Sequence, residues 1–316
     1  MSIFRVDVVP ITLEPHPNAD TLSIVKVYRY TVCVRTVDWQ DKKIGAYIPP
    51  DSVVPDNENF AFLGGNTRIK VRRLRGVVSM GLLVPAPAGS EVGQDVANIL
   101  GVTHYEPPLQ NAKSSGETEA PPTGIIAPKY DVENILRFAD LFREDEPVYV
   151  TEKIHGANAR YVWHDDRMWC GSKGEWKKQA DENLWWCALR QNAWIQDYCR
   201  THPGSVLYGE IFGNVQSLKY GLKPGHYQVR IFDILQEGQW LAIHDLLAIK
   251  EIKTVPLLGI YPFNLKSLQT LAEGQSLIEG ANHIREGIVV RPKLERITQE
   301  IGRLQLKLIS NAYLEQ

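Results

Sequence analysis

Up to about Tyr105 the chain alternates short β-branched runs with turn signals. LSIVKVYRYTVCVRTV, IGAYIPP, TRIKVRRLRG and MGLLVPAP are separated at Pro49-Pro50, Asn57 and Gly64-Gly65. Short strands at this spacing predict a small β-barrel or sandwich over 1–105. EPPLQNAKSSGETEAPPTG follows and has little to bury, so 106–128 is expected to be a flexible linker. From Lys129 the period changes. DVENILRFADLF predicts a short helix, followed by strands at 147–154, 159–164 and 167–171. Leu184, Ala188, Ile195 and Tyr198 recur at near-helical spacing and predict one amphipathic helix, stopped by His202-Pro203-Gly204. Strands at 205–212 and 227–235, a helix in KSLQTLAEGQSLI, and strands at 286–292 and 303–309 complete 129–316. The expected class is α+β with mainly antiparallel sheets.

Composition narrows the picture. The chain's 316 residues suffice for two cores, and 44% hydrophobic with 23% charged residues is ordinary for a globular protein. No apolar run reaches the ~20 residues of a membrane span. The start, MSIFRVDVVP, lacks a signal-peptide layout, so a cytoplasmic location is expected. The four cysteines have no paired spacing and read as reduced thiols, and no His-Glu-x-x-His suggests zinc. A net charge of −2 excludes coating of nucleic acid by bulk charge, while leaving room for one basic face.

The candidate chemistry centres on Lys153. It ends a strand-like run, PVYVTEKIHG, in a Lys-x-x-Gly turn that could hold a lysine nucleophile, the glycine letting the backbone approach a phosphate. Alone the pattern is weak. Glu210, Phe232 and Lys307, each taken singly, read as a surface carboxylate, a core aromatic and a solvated strand charge. Four segments nevertheless follow Lys153 in order: YGEIFG with Glu210, VRIFDIL with Phe232, REGIVVRP with Glu286, and RLQLKLI with Lys307. The ordered set resembles the nucleotidyltransferase motifs of ATP-dependent polynucleotide ligases, and TEKIHG looks most like the RNA ligases.

That resemblance implies attack of the Lys153 amine on the α-phosphorus of ATP. A free lysine has a pKa of ~10.4, and neighbouring positive charge from Lys307, Lys173 or a metal is expected to favour the neutral amine. By the same resemblance, Glu210 and Glu286 hold ribose hydroxyls or a hydrated Mg²⁺ or Mn²⁺. Phe232 stacks on adenine, Glu152 lies beside the adenine amino group, and Ile154 joins the nucleotide-binding set. Lys307 grips the α-phosphate, and Asn158, Arg160 and Lys173 lie near ribose and phosphates. His155, assigned with Lys153 and Lys307 to the catalytic group, stands where DNA ligases and capping enzymes commonly carry Asp. A histidine there resembles the RNA-repair ligases. The last motif departs from the family pattern: Gln305 occupies the place of a usual second lysine. Either Lys307 works alone or Arg303 substitutes.

HPNADTLSIVKV, IGAYIPPDSVVP and IKVRRLRGVVSMGLLVP resemble the OB-like module that precedes the catalytic domain in Deinococcus-type RNA ligases. The implied fold is an OB-like barrel followed by an ATP-grasp-like nucleotidyltransferase domain. The implied reaction is sealing of 3′-OH to 5′-phosphate ends at nicks in RNA-containing duplexes. Arg68, Lys70, Arg72, Arg73 and Arg75 crowd one strand and its turn, a cationic ridge suited to an A-form backbone. Few residues follow Lys307, so no second OB domain is expected after the catalytic core. A monomer without an obligate protein partner is expected, because the cleft must stay open to a duplex. Two alternatives stand beside this reading. A DNA ligase or capping guanylyltransferase is disfavoured by His155 and the short C-terminus. An inactive RNA-binding protein is disfavoured by the clustered Lys153, Glu210, Glu286 and Lys307.

Overall fold

The computed structural model describes residues 4–105 and 117–315. The part of the expected linker over 106–116 lies outside the described residues. The remainder is not free chain: Thr118–Glu119 pairs with Trp176–Lys177 at the edge of a large sheet. The described residues form two compact units, one from 117–133 and 140–310, the other from 4–105, 134–139 and 311–315. The expected single catalytic span from Lys129 is therefore interrupted at 134–139.

In the N-terminal unit, strands Asp7–Pro10, Ile44–Ile48 and Leu82–Pro85 form one antiparallel sheet. Glu14–Pro15, Leu22–Val27 and Tyr30–Arg35 form another. Period-two alternation buries Tyr30, Val32 and Val34, and Val8, Ala46, Ile48, Phe60 and Val84 fill the barrel core. The helix Ile135–Phe138 belongs to this unit because Asp7 anchors it. Asp7 is 3% exposed. It accepts hydrogen bonds from Arg5 Nε at 2.8 Å and, at 2.7 Å each, from Tyr28 Oη and Arg137 Nη2. A buried carboxylate needs such donors.

The other unit carries two antiparallel sheets. The larger runs through Arg167–Gly171, Ala157–His164, Val206–Gly213 and Tyr227–Gln236. The other runs through Leu306–Ile309, Gly287–Pro292, Pro147–Lys153 and Leu257–Pro262. The expected long helix is two, Leu184–Gln191 and Trp194–Thr201. Asn192 breaks it. With φ −126° and ψ 62° it leaves the helical region, and its buried amide donates to Ala188 O at 2.8 Å and Tyr227 O at 3.1 Å. The polar side chain thus competes with the helical ladder. Trp185 and Trp186 anchor the first helix in the core, with indole N–H groups on Asn158 O and Lys177 O. No helix among the described residues is long and apolar enough to cross a membrane.

Candidate active site

Strand register builds the site. In one sheet Thr151 faces Val289, and Val289 faces Lys307. In the other, Asn158 faces Glu210, and Glu210 faces Arg230. Directly opposed residues of antiparallel strands share a face, so each sheet presents a row. A cavity of about 210 Å³ is lined from both rows by Thr151, Val289, Lys307, Asn158 and Glu210. Glu152, Lys153, Ile154, Lys173 and Phe232 also line it, so eight of the sequence-expected residues meet there.

Lys153 ends the strand Pro147–Lys153. Its Nζ lies 2.8 Å from each carboxylate oxygen of Glu286. Gly156 follows because a Cβ there would overlap the carbonyl oxygen of Ile211. The glycine thus serves strand-to-turn packing rather than the expected phosphate approach. The turn is fixed from the other side, where the His155 N–H donates to Tyr220 Oη at 2.7 Å. His155 does not line the cavity. Its Nδ1 lies 3.6 Å from Glu286 and its Nε2 3.2 Å from Ser217 Oγ.

The electrostatics correct one expectation. Burial pulls the Lys153 pKa down, but Glu286 and Glu210 outweigh it and the net shift is upward. The resting amine is an ammonium ion, not the expected neutral nucleophile. Glu286 is its counterpart: burial would raise its pKa, but Lys153 and His155 bring it down to about 2. Glu210 goes the other way, pushed to about 8 by burial, with Glu286 adding and Lys153 opposing. Lys307 is lowered by burial and by Lys153, against Asp131. Two carboxylates beside two ammonium groups hold sharply different protonation tendencies, a common mark of a reactive site.

Several expected residues take other places. Arg160 is 3% exposed and lies outside the cavity. Its guanidinium donates to Ser172 O and Ala127 O and sits over Trp176, which makes it an internal strut rather than a ribose or phosphate contact. The Glu152 carboxylate lines the cavity and accepts one hydrogen bond on each oxygen, from Ser276 Oγ at 2.6 Å and from Leu277 N at 2.7 Å, which fix its orientation. Lys173 does reach the cavity, paired at 2.5 Å with Asp131. Arg303 cannot replace the missing lysine: it donates to Asp233 at 2.6 Å and Glu295 at 2.7 Å. Gln305 joins the same buried network, its Oε1 2.8 Å from Tyr130 Oη.

The sequence missed Tyr130, Asp131 and Arg291, which also line the cavity. Tyr130 packs on Phe232 with ring centroids 4.8 Å apart, and Arg291 Nη2 donates to Phe232 O at 2.8 Å. Arg291 stood in REGIVVRP, two residues beyond Val289, where strand alternation alone would have found it. Tyr130 and Asp131 lie before the helix Ile135–Phe138, where no spacing or motif signals them.

The cationic ridge is divided. Arg68–Ile69 and Arg72–Leu74 are separate short strands. Arg68 pairs with Asp51 and stacks over Tyr105, and Arg73 pairs with Glu315. Lys70, Arg72 and Arg75 remain exposed, Arg75 at a left-handed φ of 46° in the turn.

The donors present fit a hard divalent cation. Glu210 and Glu286 supply carboxylate oxygens, and the buried Oδ1 of Asn158 has no protein partner. Among the described residues no cluster of three or more His, Cys, Asp or Glu side chains forms. The protein therefore offers a partial oxygen shell, the pattern of ions that keep water and phosphate ligands.

Comparison with known proteins agrees with this chemistry. The sequence model of the RNA ligase family matches residues 146–309, and that of an OB-fold domain matches 4–86. No curated protein sequence matches. Among solved structures, a mutant RNA ligase of Naegleria gruberi with ATP and Mn is 26% identical, at TM-score 0.83, covering 98% of each chain. The Naegleria gruberi enzyme with pyrophosphate is 25% identical at TM-score 0.84, covering 99% of this chain and 98% of that one. Another mutant of it, with AMP and Mn, is 26% identical at TM-score 0.83, with the same coverage. With its motifs gathered in one cavity and over half its length matched by the family, the chain belongs to the RNA ligase family and is an ATP-dependent RNA ligase with an N-terminal OB-fold domain.

Proposed function

We propose that the enzyme joins 3′-OH to 5′-phosphate ends at nicks in RNA-containing duplexes, with Lys153 as the covalent nucleophile. The observation that carries the role of Lys153 is its place at a strand end in the cavity, 2.8 Å from both oxygens of Glu286. In the first step the deprotonated amine attacks the α-phosphorus of ATP. The N–P bond forms, the bond to the bridging oxygen breaks, and pyrophosphate leaves. Next a 5′-phosphate oxygen of RNA attacks the same phosphorus, and Lys153 departs and regains a proton. Last, the 3′-OH displaces AMP from the adenylylated end.

Each residue has a physical task. Phe232, braced by Tyr130 and Arg291, presents an aromatic face for the base. Lys307 and Lys173 place positive charge where phosphate oxygens gather. Asn158 offers an unsatisfied amide oxygen. Glu210 and Glu286 would hold a divalent cation, which would supply positive charge to phosphate oxygens and, by like-charge repulsion, disfavour the Lys153 ammonium. Both Mg²⁺ and Mn²⁺ suit oxygen donors.

The exposed Lys70, Arg72 and Arg75 support backbone contact with an A-form duplex by the OB-fold domain. Arg68 and Arg73, already paired, are assigned to holding that domain together. A cytoplasmic monomer fits this reading. The test is sealing of 5′-phosphorylated strands in nicked RNA duplexes, nicked DNA duplexes and single strands. Preferential sealing of the RNA-containing nick is expected. Equal or better joining of single strands or all-DNA nicks would contradict the proposed substrate.

A further inference from the structure

Arg230 takes no part in the three transfers of the proposed reaction. It lies on the strand Tyr227–Gln236, directly opposite Glu210, third in the row Asn158–Glu210–Arg230. Asn158 and Glu210 line the nucleotide cavity and Arg230 does not. It is partly buried. No carboxylate comes within ion-pairing distance of it among the described residues, and its hydrogen bond is to the neighbouring Val229 O at 3.1 Å. Burial lowers its pKa, with Glu279 opposing. A guanidinium carries five N–H donors in a fork matched to phosphate oxygens, and withdrawing it from water without a counter-ion is costly.

Its surroundings locate it. The guanidinium carbon is 5.5 Å from the centre of the Phe212 ring. Phe212 packs on Tyr220, with centroids 4.9 Å apart, and Tyr220 holds the His155 amide. Arg230 therefore stands one strand beyond Glu210, linked through two aromatic rings to the turn after the nucleophile.

We propose that Arg230 binds a phosphate that arrives or leaves outside the nucleoside cavity: the 5′-phosphate of the RNA end or the departing pyrophosphate. The inference rests on the lysyl-AMP reading above. Both sources present the same chemistry, a multiply charged phosphate with terminal oxygens.

The test separates the three steps in Arg230→Gln and Arg230→Lys: label uptake from ATP and its reversal by pyrophosphate, transfer from preformed enzyme–AMP to 5′-phosphorylated RNA, and sealing of a pre-adenylylated nick. Binding of the RNA phosphate predicts at least a tenfold loss of transfer in Arg230→Gln, with a raised KM for phosphorylated RNA and partial recovery in Arg230→Lys. Binding of pyrophosphate predicts the same loss in uptake and reversal. Either or both support the proposal while sealing of the pre-adenylylated nick is unchanged. All three steps within twofold of wild type would overturn it. So would an equal fall in all three with a lowered Tm, which would make Arg230 a packing residue on Phe212. Failure of the wild-type protein to take label would instead sink the ligase reading itself.

Discussion

Lys153 Nζ is held 2.8 Å from both carboxylate oxygens of Glu286, so the resting nucleophile is paired and protonated. Glu286 is a main cause of the raised Lys153 pKa. Replacing it with Gln removes that charge and lowers the lysine pKa. Because the reactive form is the neutral amine, adenylylation rises with pH through this pKa. In Glu286→Gln the rising limb of single-turnover adenylylation moves to lower pH, while the maximal rate falls by roughly a hundredfold or more as transition-state electrostatics are lost. An unshifted limb would show that Glu286 does not govern the amine.

Glu210 gives the opposite sign in a stability measurement. Its folded pKa is raised to about 8, against ~4.3 for an unfolded glutamate. Between these values the folded state holds a proton that the unfolded state has lost. The native protein therefore loses stability from this group as pH rises through that window, and no further change comes above it. Chelator-treated wild type and Glu210→Gln should diverge in Tm from about pH 4.5 to about pH 8, the variant becoming relatively more stable. Parallel curves would contradict the burial of this carboxylate.

Asp131 holds Lys173, the residue proposed above to meet phosphate oxygens. The pair is 2.5 Å apart and partly exposed, so it is worth at most about 1 kcal/mol. Asp131→Asn should free Lys173 and lower the KM for ATP by up to about fivefold. Lys173→Ala should raise it. A higher KM in Asp131→Asn would assign Asp131 to nucleotide binding instead.

The network around Gln305 shows why sequence could pose a question it could not answer. Order and strand alternation made Lys153, Glu210, Phe232, Glu286 and Lys307 legible, and the β-rich N-terminal part was legible from its turns. Whether Arg303 replaced the lost lysine depended on Asp233, which lies 70 residues away in the chain and is fully buried. Tertiary partners likewise decided Arg160, taken by the carbonyls of Ser172 and Ala127, and Asn192, whose bond to Tyr227 O split a helix that periodicity joined. Patterns report faces and spacing; they do not report which distant group claims a side chain.

Restoring the familiar lysine tests that network. Gln305 is 8% exposed and sits with Tyr130 in a network where Arg291 and Arg303 already face Asp233. An added ammonium would be a buried charge without its own partner. Gln305→Lys should cost about 2 kcal/mol and lower Tm by roughly 5 °C, without speeding adenylylation. A faster, equally stable variant would show that the position can still serve the phosphate.

The central claim is that Lys153 carries AMP covalently. Wild-type protein and Lys153→Ala are incubated with ATP labelled on the α-phosphate and with Mg²⁺ or Mn²⁺, then resolved under denaturing conditions. Label retained on the wild type and absent from Lys153→Ala is the predicted result. Label retained on both would place the nucleophile elsewhere, and label on neither, with folded protein and either metal, would contradict the covalent mechanism.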